Sequence, residues 1–213
     1  DGTSEGSLSS EETSIIVDVP GGQTFVDDLI VDVIGGSRVR IVGTEGNDII
    51  ILEKSLDNRL LLNQVLVIDS DAPNGIEFSS VTDIAVFAIG GDDNIVLPND
   101  AFPSATTWVF GGNGHDHIIG GEGDDILVGG NGNDHIEGKN GSDDIFGDTY
   151  IAKPNPENKS GFDDIIVGGD DVLFGGGGED ELFGAGGNDI VVGGSGMDRL
   201  FDCAGDDVVT SSD

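Results

Sequence analysis

Residues 111–146 decide the fold, because they read GGNGHDHII, GGEGDDILV, GGNGNDHIE and GKNGSDDIF without a break. Each block has nine residues, with glycine at positions one and four, aspartate at position six and an aliphatic residue at position eight. A fixed short period of this kind predicts stacked repeats. The glycine-rich hexamer predicts a tight turn and the last three residues predict a short strand, so that two repeats, or 18 residues, complete one coil.

The same pattern returns from residue 175 as GGGGEDELF, GAGGNDIVV and GGSGMDRLF, and ends in a degenerate DCAGDDVVT that begins at Asp202. Between the two series, residues 149–160 (TYIAKPNPENKS) do not fit the pattern, and we interpret them as an insertion. The segments GFDDII and VGGDDVLF that follow then read as two shortened repeats. Earlier echoes, GTEGNDIII from Gly43 and GGDDNIV from Gly90, predict a looser β-helix on the same axis in the N-terminal half.

The chain divides into three parts by composition. Residues 1–14 are small and polar, which predicts a flexible leader. Residues 15–110 carry strand-like apolar runs separated by Gly, Asn and Asp turns, with no amphipathic helical pattern. Residues 111–210 carry the repeats, with the insertion at 149–160.

The charge is strongly unbalanced, with 42 acidic residues against 8 basic ones and a formal net charge of −34. Such a surface excludes nucleic acid as a partner, and no apolar run is long enough to span a membrane. The single cysteine, Cys203, excludes an internal disulfide framework, so metal is the expected stabiliser. Because the chain opens at Asp1 rather than Met, we expect a processed, exported product.

The position-six aspartates are the candidate metal ligands. Stacked coils lie about 4.8 Å apart, so these carboxylates form columns of like charge that require a cation. Calcium accepts six to eight oxygens, and glycine loops can turn several carbonyls toward one ion. The predicted carboxylate ligands are Asp116, Asp125, Asp134, Asp143, Asp163, Asp171, Asp180, Asp189, Asp198 and Asp207. Asp48 and Asp93 occupy the matching place in the earlier echoes. The predicted carbonyl ligands include those of Gly111, Asn113, Gly120, Glu122, Gly129 and Asn131.

The pattern GGxGxDxUx, with U aliphatic, resembles the nonapeptide of the hemolysin-type calcium-binding (RTX) family over residues 111–210. The resemblance implies an all-β fold, a right-handed parallel β-roll that binds several calcium ions, in a secreted, extracellular bacterial protein. It leaves two interpretations open. One is an extracellular structural or binding module that folds on calcium. The other is the RTX fragment of a larger secreted toxin, adhesin or polysaccharide-modifying enzyme.

Enzymatic activity is not expected. The sequence contains no HExxH, GxSxG or GxxxxGK[ST] motif, and residues 1–110 contain no His or Tyr with which to act on a polysaccharide. His117 and His135 share position seven one coil apart, but two imidazoles without a third ligand make a poor zinc site.

Positions seven and nine should point away from the core, and alternate repeats should present different faces. The even repeats predict an apolar strip formed by Ile126, Val128, Phe146, Val172, Phe174, Ile190, Val192 and Val208. We expect a second copy or another subunit or domain to cover this strip, unless position nine turns partly inward. On the other face, Glu181 and Arg199 lie one coil apart, which predicts an ion pair.

Overall fold

A computed structural model describes residues 23–26, 29–34, 37–63, 65–66, 77–97, 106–148, 152–154, 162–164, 169–201 and 205–211. The predicted leader, Cys203 and most of the predicted insertion lie outside these ranges. In chain order, the described strands are β1 (Gln23–Val26), β2 (Leu29–Ile34), β3 (Arg38–Val42), β4 (Ile49–Lys54), β5 (Leu60–Leu62), β6 (Val65–Leu66), β7 (Asp83–Gly90), β8 (Asn94–Val96), β9 (Thr106–Asn113), β10 (His117–Glu122), β11 (Asp125–Asn131), β12 (His135–Asn140), β13 (Asp144–Asp148), β14 (Ala152–Pro154), β15 (Phe162–Asp164), β16 (Val172–Gly177), β17 (Glu181–Phe183), β18 (Ile190–Ser195), β19 (Arg199–Phe201) and β20 (Val208–Thr210). One short 3-10 helix covers Phe78–Ser80.

The strands form two nine-stranded sheets that alternate along the repeats. The first sheet has the order β1-β2-β3-β7-β9-β11-β13-β17-β19, and the second has the order β20-β18-β16-β12-β10-β8-β4-β5-β6. Strands from successive coils are parallel, and His117 pairs with His135, which confirms a coil of 18 residues. The fold is therefore an all-β parallel β-roll, as the repeats predict.

The core of the repeats lies between the two sheets, and each repeat contributes one position-eight residue to it. The position-eight residues of successive repeats have no exposed surface: Ile118, Leu127, Ile136, Ile145, Leu173, Leu182 and Val191. Toward the C-terminal end of the stack the position-eight residues are less buried: Leu200 is only partly buried, and Val209 is 39% exposed. No described strand packs beyond β20, so Val209 lies at the exposed end of the stack although it occupies position eight.

The N-terminal half stacks on the same axis, as the echoes predict. Strand β3 pairs in parallel with β7, and β7 pairs in parallel with β9, which runs across residue 110 without a break. The outermost strands depart from this pattern, because β1-β2-β3 and β4-β5-β6 are antiparallel. Only three residues join Ile34 to Arg38, too few for a parallel connection within one sheet, so these strands fold as hairpins.

The insertion is longer than the sequence pattern indicates. Asp144 of β13 pairs with Glu181 of β17, 37 residues later instead of 18, so 19 residues are inserted into one coil. The interrupted repeat begins at Gly147 and has resumed by residues 169–174, with Asp171 at position six. Asp163 lies in β15, which pairs with Lys153 of β14 in a separate hairpin. The interpretation of residues 161–174 as two shortened repeats is therefore wrong, and Asp163 does not occupy position six of the roll.

The predicted apolar strip is wrong for the same reason. The sequence pattern assigns two repeats to residues 161–174 where the roll has one, so every repeat after the insertion lies on the sheet opposite to the predicted one. The residues of the strip are therefore divided between the two sheets. Ile126, Val128 and Phe146 lie on the first sheet, whereas Val172, Phe174, Ile190, Val192 and Val208 lie on the second. Phe146 instead stacks on Phe183, with ring centroids 4.9 Å apart. The predicted interface does not exist as one surface. The predicted ion pair is confirmed, because Arg199 Nη1 lies 3.5 Å from Glu181 Oε1.

Candidate metal centre

The position-six aspartates form two columns, one along each edge of the roll. Within a column, Oδ1 of each aspartate accepts the backbone N–H of the aspartate one coil earlier, as Asp134 does from Asp116 at 2.9 Å. The first aspartate column contains Asp48, Asp93, Asp116, Asp134, Asp171, Asp189 and Asp207. The second aspartate column contains Asp125, Asp143, Asp180 and Asp198. The structure thus brings together the predicted position-six carboxylates, with Asp163 as the exception, and adds both early echoes to the first column.

In the part of the chain that the structure describes, the second oxygen of most of these carboxylates has no hydrogen-bond partner. Oδ2 is buried and without a donor in nine residues: Asp93, Asp116, Asp125, Asp134, Asp143, Asp171, Asp180, Asp189 and Asp198. Buried polar atoms in proteins are almost always paired, and an unpaired buried carboxylate oxygen is especially costly. Such atoms, repeated along both columns, therefore need a proton or a cation as a partner.

The glycine at position one lets the aspartate oxygen approach the backbone closely. A Cβ added to Gly120 would lie 2.7 Å from Asp125 Oδ2 and 2.8 Å from the carbonyl oxygen of Gly138 on the next coil. Gly111 has the same surroundings, formed by Asp116 Oδ2 and, at 2.7 Å, the Gly129 carbonyl. Carboxylate and carbonyl oxygens thus lie together beside each glycine, where any side chain would clash with them, and an all-oxygen donor set fits calcium.

The predicted carbonyl ligands have different surroundings. The Gly129 carbonyl lies beside Asp116 Oδ2, as described above. The carbonyls of Asn113 and Asn131 each accept a glycine N–H at 2.8 Å, from Gly91 and Gly114 respectively. At Gly111 and Gly120, the atom that faces an aspartate Oδ2 is the Cα of the glycine. At Glu122, the side chain accepts a hydrogen bond from the side chain of Asn140.

Burial makes these carboxylates hard to ionise without a cation. Desolvation raises the pKa of Asp125 and Asp171 to about 8, and that of Asp93, Asp134 and Asp143 to about 7, with neighbouring carboxylates adding to the effect. At neutral pH the metal-free columns therefore hold either a proton or an unfavourable charge. A divalent cation removes this penalty.

Sequence reasoning missed Asp148. This residue occupies position two of the interrupted repeat, is only 4% exposed, and accepts the N–H groups of Gly169 at 3.2 Å and Gly186 at 3.3 Å. Burial raises its pKa to about 6, and its charge acts on that of Asp134 and Asp171. It thus adds a carboxylate to the first column where the chain leaves the roll. An acidic residue in a glycine position is the signal that marks it.

Three stretches of the chain match a known protein family. Residues 35–54, 110–145 and 165–200 match the RTX calcium-binding nonapeptide repeat, in four copies. The first of these stretches includes Asp48 of the N-terminal half. Neither the curated proteins nor the solved structures contain a match to the chain. In the described residues, no helix has the length and apolar character needed to cross a membrane.

Proposed function

We propose that this protein is a secreted, extracellular calcium-binding module that folds on calcium and has a structural or binding role rather than an enzymatic one. The observation that carries the proposal is the row of nine buried Oδ2 atoms without a hydrogen-bond partner. Each calcium ion would be held by position-six aspartates and loop carbonyls of the same edge. The ion supplies the positive charge that these oxygens lack, and several ions are expected along the two columns.

The chemistry of the site favours calcium over magnesium. Calcium accepts a variable number of oxygens, including main-chain carbonyls, whereas magnesium requires a small octahedral shell and retains its water. Extracellular calcium modules bind with dissociation constants of about 10⁻⁴ to 10⁻³ M, so a module of this kind would be empty inside a cell and loaded outside it. RTX repeats are typical of secreted bacterial proteins, which supports the same location.

The second candidate is that the roll belongs to a larger secreted toxin, adhesin or polysaccharide-modifying enzyme. The observation that favours it is an apolar surface at the end of the described stack, where Phe201 is 40% and Val208 is 55% exposed. Another coil, domain or partner would cover this surface. The test is the mass of the isolated, calcium-loaded chain in solution. A folded monomer supports an independent module, whereas aggregation that Val208→Asp suppresses supports the larger protein.

A calcium titration monitored by circular dichroism tests the main proposal. In the presence of a calcium chelator we expect largely unfolded protein, because the carboxylates within each aspartate column repel one another and the core is narrow. Millimolar calcium should produce the full β-structure, and magnesium at the same concentration should produce little of it. The proposal is overturned if chelated protein already has the full β-spectrum and calcium changes neither the spectrum nor the melting temperature.

A further inference from the structure

The outer face of the second sheet carries a group of metal-binding side chains away from the aspartate columns. His117 of β10 and His135 of β12 are directly paired on neighbouring strands, and their rings lie 5.1 Å apart. Glu137 lies two residues beyond His135, on the same face of β12, and its Oε1 is 3.1 Å from His135 Nε2. One potential ligand atom from each of the three residues lies within 4.8 Å of the other two.

We propose that His117, His135 and Glu137 form a binding site for a divalent transition metal, with Zn²⁺ as the expected ion. Two imidazoles, one carboxylate and a water molecule are a donor set that zinc uses in proteins. Zinc–ligand bonds of about 2.0–2.1 Å place tetrahedral ligand atoms about 3.3 Å apart, close to the separation of His135 Nε2 and Glu137 Oε1. The ligand atom of His117 lies within 4.8 Å of the other two, and a bound ion would draw the three together.

The residues around the group hold it in position. Asn94 of β8 places its Oδ1 3.1 Å from His117 Nδ1, which orients that ring and leaves Nε2 as the ligand atom. Metal-binding histidines commonly use their second nitrogen in this way. The ring of Phe174 packs against His135, with centroids 5.6 Å apart.

Lys139 is the one neighbour described here that opposes a cation. Its Nζ is paired with Glu137 Oε2, the carboxylate oxygen that does not face His135. Metal binding through Oε1 leaves this pair in place, but the ammonium repels the ion. Lys139 therefore weakens the site without blocking it.

The group is chemically distinct from the calcium columns. His117 and His135 occupy position seven and Glu137 position nine, on the outside of the roll, whereas Asp116 and Asp134 are buried at its edge. Calcium prefers oxygen ligands and competes poorly for imidazole nitrogen. Calcium and zinc should therefore bind at the same time at separate sites. Calcium folds the roll, and the folded second sheet holds His117, His135 and Glu137 in place for zinc.

Zinc titration of the calcium-saturated protein by isothermal titration calorimetry tests the proposal. We expect one zinc site, weakened about tenfold or more in His117→Asn, His135→Asn and Glu137→Gln. The matched control is His115→Asn. His115 lies in the loop, where its Nδ1 accepts the N–H of Asn133 at 2.8 Å, a bond that an asparagine side chain can replace. Circular dichroism in calcium verifies that each variant is folded.

Two further measurements separate this site from general carboxylate binding. Cobalt, as a zinc substitute, should give the visible absorption of a tetrahedral nitrogen–oxygen site in the wild type and lose it in His135→Asn. Lys139→Gln should bind zinc about fivefold more tightly, since it removes a positive charge near Glu137.

The proposal is overturned if folded, calcium-saturated protein binds no zinc, or if the His117 and His135 variants bind it as well as His115→Asn does. If the chelated protein is already folded, the proposed calcium function fails, and the zinc titration on that folded protein still decides this inference.

Discussion

At the scale of single residues, position six requires aspartate because its two oxygens have different roles. Oδ1 of Asp143 accepts the backbone N–H of Asp125 at 2.9 Å and so joins successive coils. Oδ2 of the same carboxylate is buried without a donor beside the glycine of position one. Asparagine could replace the first role but not the second, because its amide supplies a donor where the site needs a negative oxygen.

The first prediction is that Asp125→Asn and Asp134→Asn each remove calcium binding along one column only. Asp125 bonds to Asp143, and Asp134 bonds to Asp171, so the two residues belong to different ladders. In calorimetric titrations each variant should lose part of the calcium stoichiometry, and the double variant should lose the sum of the two losses. Loss of all sites in either single variant would mean that the columns form one cooperative unit.

The second prediction concerns the glycine of position one. Gly120→Ala should weaken calcium binding and destabilise the folded protein by about 1–3 kcal/mol, because the added methyl group overlaps Asp125 Oδ2 and the Gly138 carbonyl. Gly46→Ala is the control, since a Cβ there meets only Thr44 Oγ1, at 3.6 Å. Thermal melts of both variants in calcium provide the measurement. Equal melting temperatures would contradict the crowded site at Gly120.

At the scale of elements, the sequence predicts the period and the ligand column but not the phase across the insertion. Period and ligands follow from residue spacing, and a coil of 18 residues brings Asp116 onto Asp134. The repeat phase after the insertion is mispredicted because GFDDII, from Gly161, resembles part of a repeat. Its described strand, β15, instead pairs with β14 outside the roll. The pairing of Asp144 with Glu181 and the bond from Asp134 to Asp171 show that one repeat, not two, continues there. The number of repeats at the insertion decides which sheet carries each later strand, and so which side chains share an outer face.

The third prediction tests the count directly. Deleting residues 149–167 joins Gly147-Asp148 to Gly168-Gly169-Asp170-Asp171 and creates the uninterrupted nonapeptide GDGGDDVLF. The shortened chain should fold in calcium with a melting temperature equal to or above that of the wild type, because a shorter loop costs less entropy to close. Circular dichroism melts in calcium measure this. Failure to fold in calcium would show that the hairpin of β14 and β15 is needed for the roll.

At the scale of the whole molecule, the repulsion from a net charge of −34 opposes folding, and each coil of the repeats contributes only two position-eight residues to the core. The apolar column of Ile118, Leu127 and their equivalents cannot offset the repulsion of two carboxylate columns by itself. The columns must be neutralised by metal or by protons. Stability should therefore depend on pH in opposite directions with and without calcium.

The final prediction is this reversal. In chelator, Asp125 and Asp171 have folded-state pKa values of about 8, above the value of about 3.9 in an unfolded chain. A raised carboxyl pKa contributes stability that is fully present below about pH 4 and is lost as the pH rises through about 8. The calcium-free protein should therefore be more structured, and resist urea better, at about pH 5 than at about pH 8.

With calcium, the sign changes, because calcium binds the deprotonated carboxylates and protons compete with it. The calcium affinity should therefore rise between about pH 5 and about pH 8, where the column aspartates lose their protons. Urea titrations in chelator and calcium titrations at both pH values measure the two trends. A double variant, Asp125→Asn with Asp171→Asn, should flatten both, since it removes the groups with the most strongly raised pKa values. If the metal-free protein instead gains stability as the pH rises through this range, the buried columns are not protonated in its folded state, and the opposition between protons and calcium fails.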